Sequence, residues 1–91
     1  MESSIIQLTP FFIEVDGVPV RIVEASRQQF VSGDVWYIVS VSIIYKNIRS
    51  RVFPLFVRNM QDLMNKLKVE ITKVKFIEYA YGLEEVKRLI T

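Results

Sequence analysis

The sequence predicts an α+β fold: a four-stranded antiparallel sheet made of two hairpins, followed by a long helix and a short C-terminal helix. Three observations carry that prediction. An Asp16-Gly17 pair stands between two apolar runs, a β-branched stretch begins at Val35, and apolar residues recur at helical spacing from Met60 onward.

Asp16-Gly17 joins residues 11–15 to residues 18–25. A two-residue hairpin loop needs positive φ at both central positions, which Asp and Gly tolerate. With this loop, Val15 faces Val18, Ile13 faces Val20 and Phe11 faces Ile22, an apolar row that belongs to the core. The other row sets Phe12 opposite Arg21 and Glu14 opposite Pro19. Pro19 has no N–H to give, so the second strand is expected to be an edge there or to carry a bulge.

Residues 26–34 are polar, end in Ser-Gly-Asp and read as a loop. The third strand covers 35–46. Its odd positions, Val35, Tyr37, Val39, Val41, Ile43 and Tyr45, are all apolar. Its even positions, Trp36, Ile38, Ser40, Ser42, Ile44 and Lys46, are mixed. A turn near Lys46-Asn47 leads into a fourth strand over 48–57. A two-residue loop sets Arg49 and Arg51 beside Ile44 and Ser42 on the mixed face, with Phe53 next to Ser40. A three-residue loop would drive both arginines into the core against their desolvation cost. Pro54 marks where regular pairing of this strand is expected to end.

Asn59 suits a helix N-cap, with Asp62 in the first turn. Met60, Leu63, Met64, Leu67, Ile71 and Val74 follow at 3–4 spacing, and Asp62 with Lys66, then Lys66 with Glu70, pair opposite charges four apart. The pattern predicts a helix from about residue 59 to 75 or beyond. Residues 69–79 are also β-branched and aromatic, so a fifth strand is the alternative there. As a helix, the stretch carries a second stripe, Val69, Phe76 and Tyr79, on the side away from Leu67 and Ile71. Gly82 reads as a left-handed helix stop. Leu83–Ile90 then makes a short helix, acids first and Lys87 and Arg88 last.

Ninety-one residues make one domain, 1–91, and 51% of them are hydrophobic, with a mean hydropathy of +0.26. So small a domain cannot bury that much apolar surface alone. A homo-oligomer is expected, most simply a two-fold dimer, with Ile38, Val69, Phe76 and Tyr79 at its interface. No apolar run reaches the roughly 18–20 residues of a membrane helix, and the first four residues lack the basic start of a secretory signal. A cytoplasmic protein is the expectation.

The chain has no Cys and no His, which excludes disulfides, thiol nucleophiles, the usual zinc sites and His-based proton transfer. Gly17, Gly33 and Gly82 stand alone, so no phosphate-cradling glycine loop is present. Glu84 and Glu85 diverge by about 100° on a helix and read as a solvated helix start. Catalytic residues, metal and cofactor are therefore expected to be absent, and the chain reads as a non-enzyme.

The net charge is only +2, but between residues 35 and 61 stand Lys46, Arg49, Arg51 and Arg58 with no acid. If the helices cover the odd-residue face, the other face displays Phe12, Arg21, Trp36, Ile38, Ser40, Ser42, Lys46, Arg49, Arg51 and Phe53, the serines being placed to bond phosphates. Aromatic rings stack on bases, and arginines neutralise phosphates, so this set suits single-stranded nucleic acid. The competing reading is an assembly module, with Trp36, Ile38 and Phe53 at the centre of a protein interface and the basic residues as its rim. Phe12 with Arg21 also reads as a local cation–π pair. Lys66, Lys68, Lys73 and Lys75 read as the solvated flank of the helix.

From residue 11 to about 81, the order of elements resembles small archaeal single-stranded-DNA-binding proteins of the ThermoDBP-related group and, more distantly, the PC4-like fold. The resemblance implies a dimer or higher assembly that grips DNA with sheet residues such as Trp36, Arg49, Arg51 and Phe53. Abundant Ile, Val and Lys, without Cys or His, fits a thermostable protein.

Overall fold

The computed structural model describes residues 2–91, with side chains from residue 10 onward. Met1, where the reading of the N-terminus starts, lies outside the described residues. The elements are β1 (Glu2–Val15), β2 (Val18–Gln29), β3 (Val35–Tyr45), β4 (Ile48–Arg49), β5 (Phe53–Val57), α1 (Met60–Tyr81) and α2 (Leu83–Ile90). They form an antiparallel sheet in the order β1-β2-β3, with β4 and β5 following one another along the far edge of β3. The two helices pack against one face, which makes the chain α+β with the strands first.

The first hairpin has the expected turn and register. Asp16 and Gly17 take φ of 51° and 77°, and Val15 pairs Val18, Ile13 pairs Val20 and Phe11 pairs Ile22. Pro19 lies just outside the β2–β3 ladder, which begins at Val20 and Ile43, so its missing donor costs that ladder nothing.

Beyond Ala25 the structure departs from the sequence reading. Residues 26–29 are strand and not loop: β2 runs on to Gln29 between β1 and β3. Pairing on both edges satisfies the backbone of this polar segment, while Arg27 bonds Gln29 at 3.2 Å and Gln28 bonds Ser26 at 3.0 Å, each two residues along one face. A bulge at Val23 shifts the register, so the inward row passes from Val20 and Ile22 to Ala25.

The predicted fourth strand is split. Arg49 pairs Ile44, as the two-residue loop requires, with Lys46 and Asn47 at φ of 48° and 67°. Phe53, however, pairs Val41 and not Ser40, because Arg51 and Val52 together oppose Ser42. Ser50 holds this bulge. Its N–H donates to the Ile43 carbonyl at 2.8 Å, its hydroxyl accepts from the Ile43 N–H at 2.8 Å, and its carbonyl accepts from the Ser42 hydroxyl at 2.7 Å. Phe53, Leu55 and Val57 consequently join the core row, and Pro54 and Phe56 face the other way.

Residues 69–79 are helical throughout, which removes the fifth-strand alternative. The reason is packing. Leu63, Leu67, Ile71 and Val74 lie buried at 3–4 spacing against Val39, Val41, Ile43 and Val57, a continuous apolar contact that outweighs local β preference. Leu67 and Ile71 are fully buried, each worth about 1.5–3 kcal/mol of transfer free energy. Asn59 caps α1 by accepting from the Asp62 N–H at 2.8 Å. Gly82 ends it with its N–H on the Glu78 carbonyl at 2.8 Å, and at φ 93° and ψ 168° it takes a positive-φ conformation open to glycine but outside the left-handed helical well that was expected. Among the described residues, no helix is long and apolar enough to cross a membrane.

Candidate functional site

The sheet face turned away from the helices carries the even residues of β3, and among the described residues no helix packs on it. Its composition changes along its length. At one end Trp36 pairs Gln28, and Ile38 is flanked by Ser26 and Phe56. Gln28, Phe30, Trp36, Ile38 and Phe56 line a shallow hollow of about 260 Å³ there. Tyr37 with Val57 is the last β3–β5 pair, so Arg58, one step on, falls opposite Trp36. Its guanidinium carbon lies 4.4 Å from the centre of the Trp36 ring, within cation–π range.

The start of α1 fixes this arrangement. The Arg58 N–H donates to the Asp62 carboxylate at 3.0 Å, while Asp62 is itself held by the Asn59 cap. One turn on, the ammonium of Lys66 donates to the Phe56 carbonyl on the free edge of β5, sits 3.5 Å from Asp62 and reaches 6.0 Å from the Trp36 ring. Lys66 is thus not the merely solvated flank residue that helical spacing suggests.

Six residues along β3, roughly 20 Å away, the same face carries a second group. Phe12 pairs Arg21, Arg21 pairs Ser42, and Ile44 pairs Arg49. Ser42 is buried and its hydroxyl is committed to Ser50, so it offers no bond to a ligand. Glu24, opposite Ser40, places a carboxylate between the two groups.

Of the residues expected on this face, Phe12, Arg21, Trp36, Ile38 and Arg49 are there. Phe53 is on the core side because of the Ser50 bulge. Arg51 opposes Ser42 as half of the bulge, but its N–H donates to the Ile90 carbonyl at 2.8 Å and its guanidinium to the Leu89 carbonyl at 3.3 Å, so α2 holds it. Lys46 turns to the helix layer, with its ammonium 2.6 Å from the Glu78 carboxylate. Glu78 also accepts the Tyr45 hydroxyl at 2.6 Å. The bonds from Lys46 and then Tyr45 hold the Glu78 carboxyl below its ordinary 4.5, and the bond to Glu78 raises both Lys46 and Tyr45. Glu85 is paired with Arg88, which lowers its carboxyl, and Glu84 stands exposed beside it.

Phe30, Phe56, Arg58 and Lys66 complete the aromatic end; none of the four was expected in the site, although Arg58 belongs to the basic stretch and Lys66 reads as helix flank. A signal for Phe56 and Arg58 existed: Phe53, Leu55 and Val57 form an apolar row of their own, which leaves Pro54, Phe56 and Arg58 for the other face.

In comparison with known proteins, the chain matches no family model, no curated protein and no solved structure.

Proposed function

We propose that the uncovered sheet face binds single-stranded nucleic acid with little regard to sequence, and that Trp36 is the centre of the contact. The observation that carries this reading is the aromatic cluster of Phe30, Trp36 and Phe56 with two cations at its rim, Arg58 at 4.4 Å and Lys66 at 6.0 Å from the indole. Stacking of a base on an aromatic side chain is worth about 1–3 kcal/mol and is indifferent to which base it is. Cations a few ångströms from the stacking surface suit the phosphates that flank such a base. A duplex hides its base faces and fits an open sheet face poorly. Arg21 and Arg49, with Phe12, extend the positive track, and Glu24 interrupts it. The chain acts on this reading as a binding protein and not an enzyme, consistent with a sequence that holds no His and no Cys.

The test is a titration of the protein with short oligothymidylate at two salt concentrations, following the emission of Trp36. The expected result is quenching, with an affinity that falls with salt by roughly 0.7 logarithmic units per phosphate neutralised for each tenfold rise. Arg58→Ala should weaken binding several-fold and reduce that salt slope by about one contact, and Glu24→Gln should strengthen binding. Unchanged Trp36 emission, with no mobility shift at low salt, would refute the reading.

A further inference from the structure

The outward side of α1 is separate from the sheet face except at Lys66, which the aromatic hollow also uses, and it has a regular pattern. Asn65, Val69, Thr72, Phe76 and Tyr79 are spaced four, three, four and three apart, the heptad spacing of a helix made to lie along another helix. The large members are open to solvent: Val69 is 53% exposed, Phe76 62% and Tyr79 87%. Val69, Thr72 and Phe76, with Lys68 and Lys73 on either side, line a shallow groove of about 610 Å³. In the same heptad frame, Lys66 and Lys73 occupy one flank and Lys68 and Lys75 the other.

Those flanks decide the occupant. A second copy of α1 would set rows of lysine against rows of lysine whether it ran parallel or antiparallel, since the flanking positions of one helix always meet those of the other. Lys66 and Lys73 have carboxylate neighbours on their own helix, Asp62 and Glu70. Lys68 and Lys75 have none among the described residues, and Lys75 only reaches the Asp16 carbonyl at 3.2 Å. A nucleic-acid strand answers the lysines and finds rings in Phe76 and Tyr79 at one end of the seam, but Asn65, Val69 and Thr72 over the rest offer none, and the side-chain knobs repeat every seven residues, about 10.5 Å. We infer that this face of α1 docks an amphipathic helix of another protein whose apolar stripe is flanked by Glu or Asp. The seam from Asn65 to Tyr79 is about 21 Å long, which asks for a partner helix of about two heptads.

The experiment uses the full chain and two labelled helical peptides of about three heptads with Leu at both seam positions. One carries Glu at all flanking positions and the other Lys. Fluorescence anisotropy should show the Glu peptide binding at least roughly tenfold tighter than the Lys peptide, because several flanking charge contacts change from repulsive to attractive. Reversing Lys68→Glu and Lys75→Glu together should invert the preference. Phe76→Ser should abolish binding with the circular dichroism unchanged. Should Phe76→Ser fail to fold, the double charge reversal decides alone, because it alters only exposed lysines. Equal binding of the two peptides, or a preference that survives the double reversal, overturns the inference. It is also overturned if oligothymidylate displaces the Glu peptide, or if sedimentation shows a dimer that Phe76→Ser dissolves, since nucleic acid or a second copy then owns the face.

Discussion

Ser50 shows how much one small side chain decides in this protein. It is buried, and its hydroxyl replaces a carbonyl as the acceptor for the Ile43 N–H, freeing its own carbonyl for Ser42. Without that hydroxyl the Ile43 N–H is a buried donor with no partner. Ser50→Ala should therefore destabilise the fold by about 1–3 kcal/mol, seen as a lower midpoint in urea at an unchanged slope. Trp36 and Arg58 illustrate a different residue-scale economy. Arg58 belongs to no strand, yet the register of β5 continues through it and delivers its guanidinium to the ring.

Among the elements, α1 has two roles. Its inner stripe closes the core, and its first turn holds the cations at the edge of the aromatic hollow, through Asn59, Asp62 and Lys66. Asn59→Ala removes the cap. It should cost about 1 kcal/mol, or about 4–8 °C in Tm for a domain of this size, read by thermal denaturation. Elements with one dominant cause were legible in the sequence: the Asp16-Gly17 hairpin, the odd row of β3, the capped helix and the short helix after Gly82. Those that depend on pairing partners were not. The polar residues 26–29 read as loop because nothing in their side chains announces that both backbone edges are taken. The two bulges were hidden for a related reason, since each is a change of parity: Val20 and Ile22 give way to Ala25, and Ile48 gives way to Phe53. Placing Arg49 and Arg51 on one face forced Phe53 outward. The apolar row of Phe53, Leu55 and Val57 conflicts with that placement, and the bulge in the structure resolves the conflict. Of the candidate site, the Trp36 centre was legible and its Arg58 and Lys66 rim was not.

At the scale of the molecule the chain is elongated, 46 × 24 × 21 Å, with a radius of gyration of 14.5 Å against about 12 Å for a compact chain of this length. Its 6083 Å² of accessible surface exceeds by roughly a tenth the value typical of its mass. Both follow from a β2 about 40 Å long beside an α1 of about 33 Å that starts level with Tyr37, the partner of Arg27, so Gln28 and Gln29 extend past the helix. Their polarity suits that uncovered position. At the opposite end, Lys46 and Tyr45 on the sheet and Glu78 on α1 tie the two layers together. The folded state lowers the Glu78 carboxyl, so its contribution is complete above the unfolded value near 4.5 and is lost as pH falls through the lower folded value. Stability measured by denaturant should therefore decline on that acid limb, and Glu78→Gln should make the limb shallower.

The split between β4 and β5 also bears on changes in chain length. Arg51 and Val52 share one place opposite Ser42, so a shorter chain lacking either would restore a plain ladder and leave Phe53 on Val41 and Phe56 on Ile38. An added residue early in β5, before Phe56, would instead turn everything beyond it over, exchanging Phe56 and Arg58 for Val57. The sheet's outer surface is thus tolerant of deletion at one place and intolerant of insertion just after it.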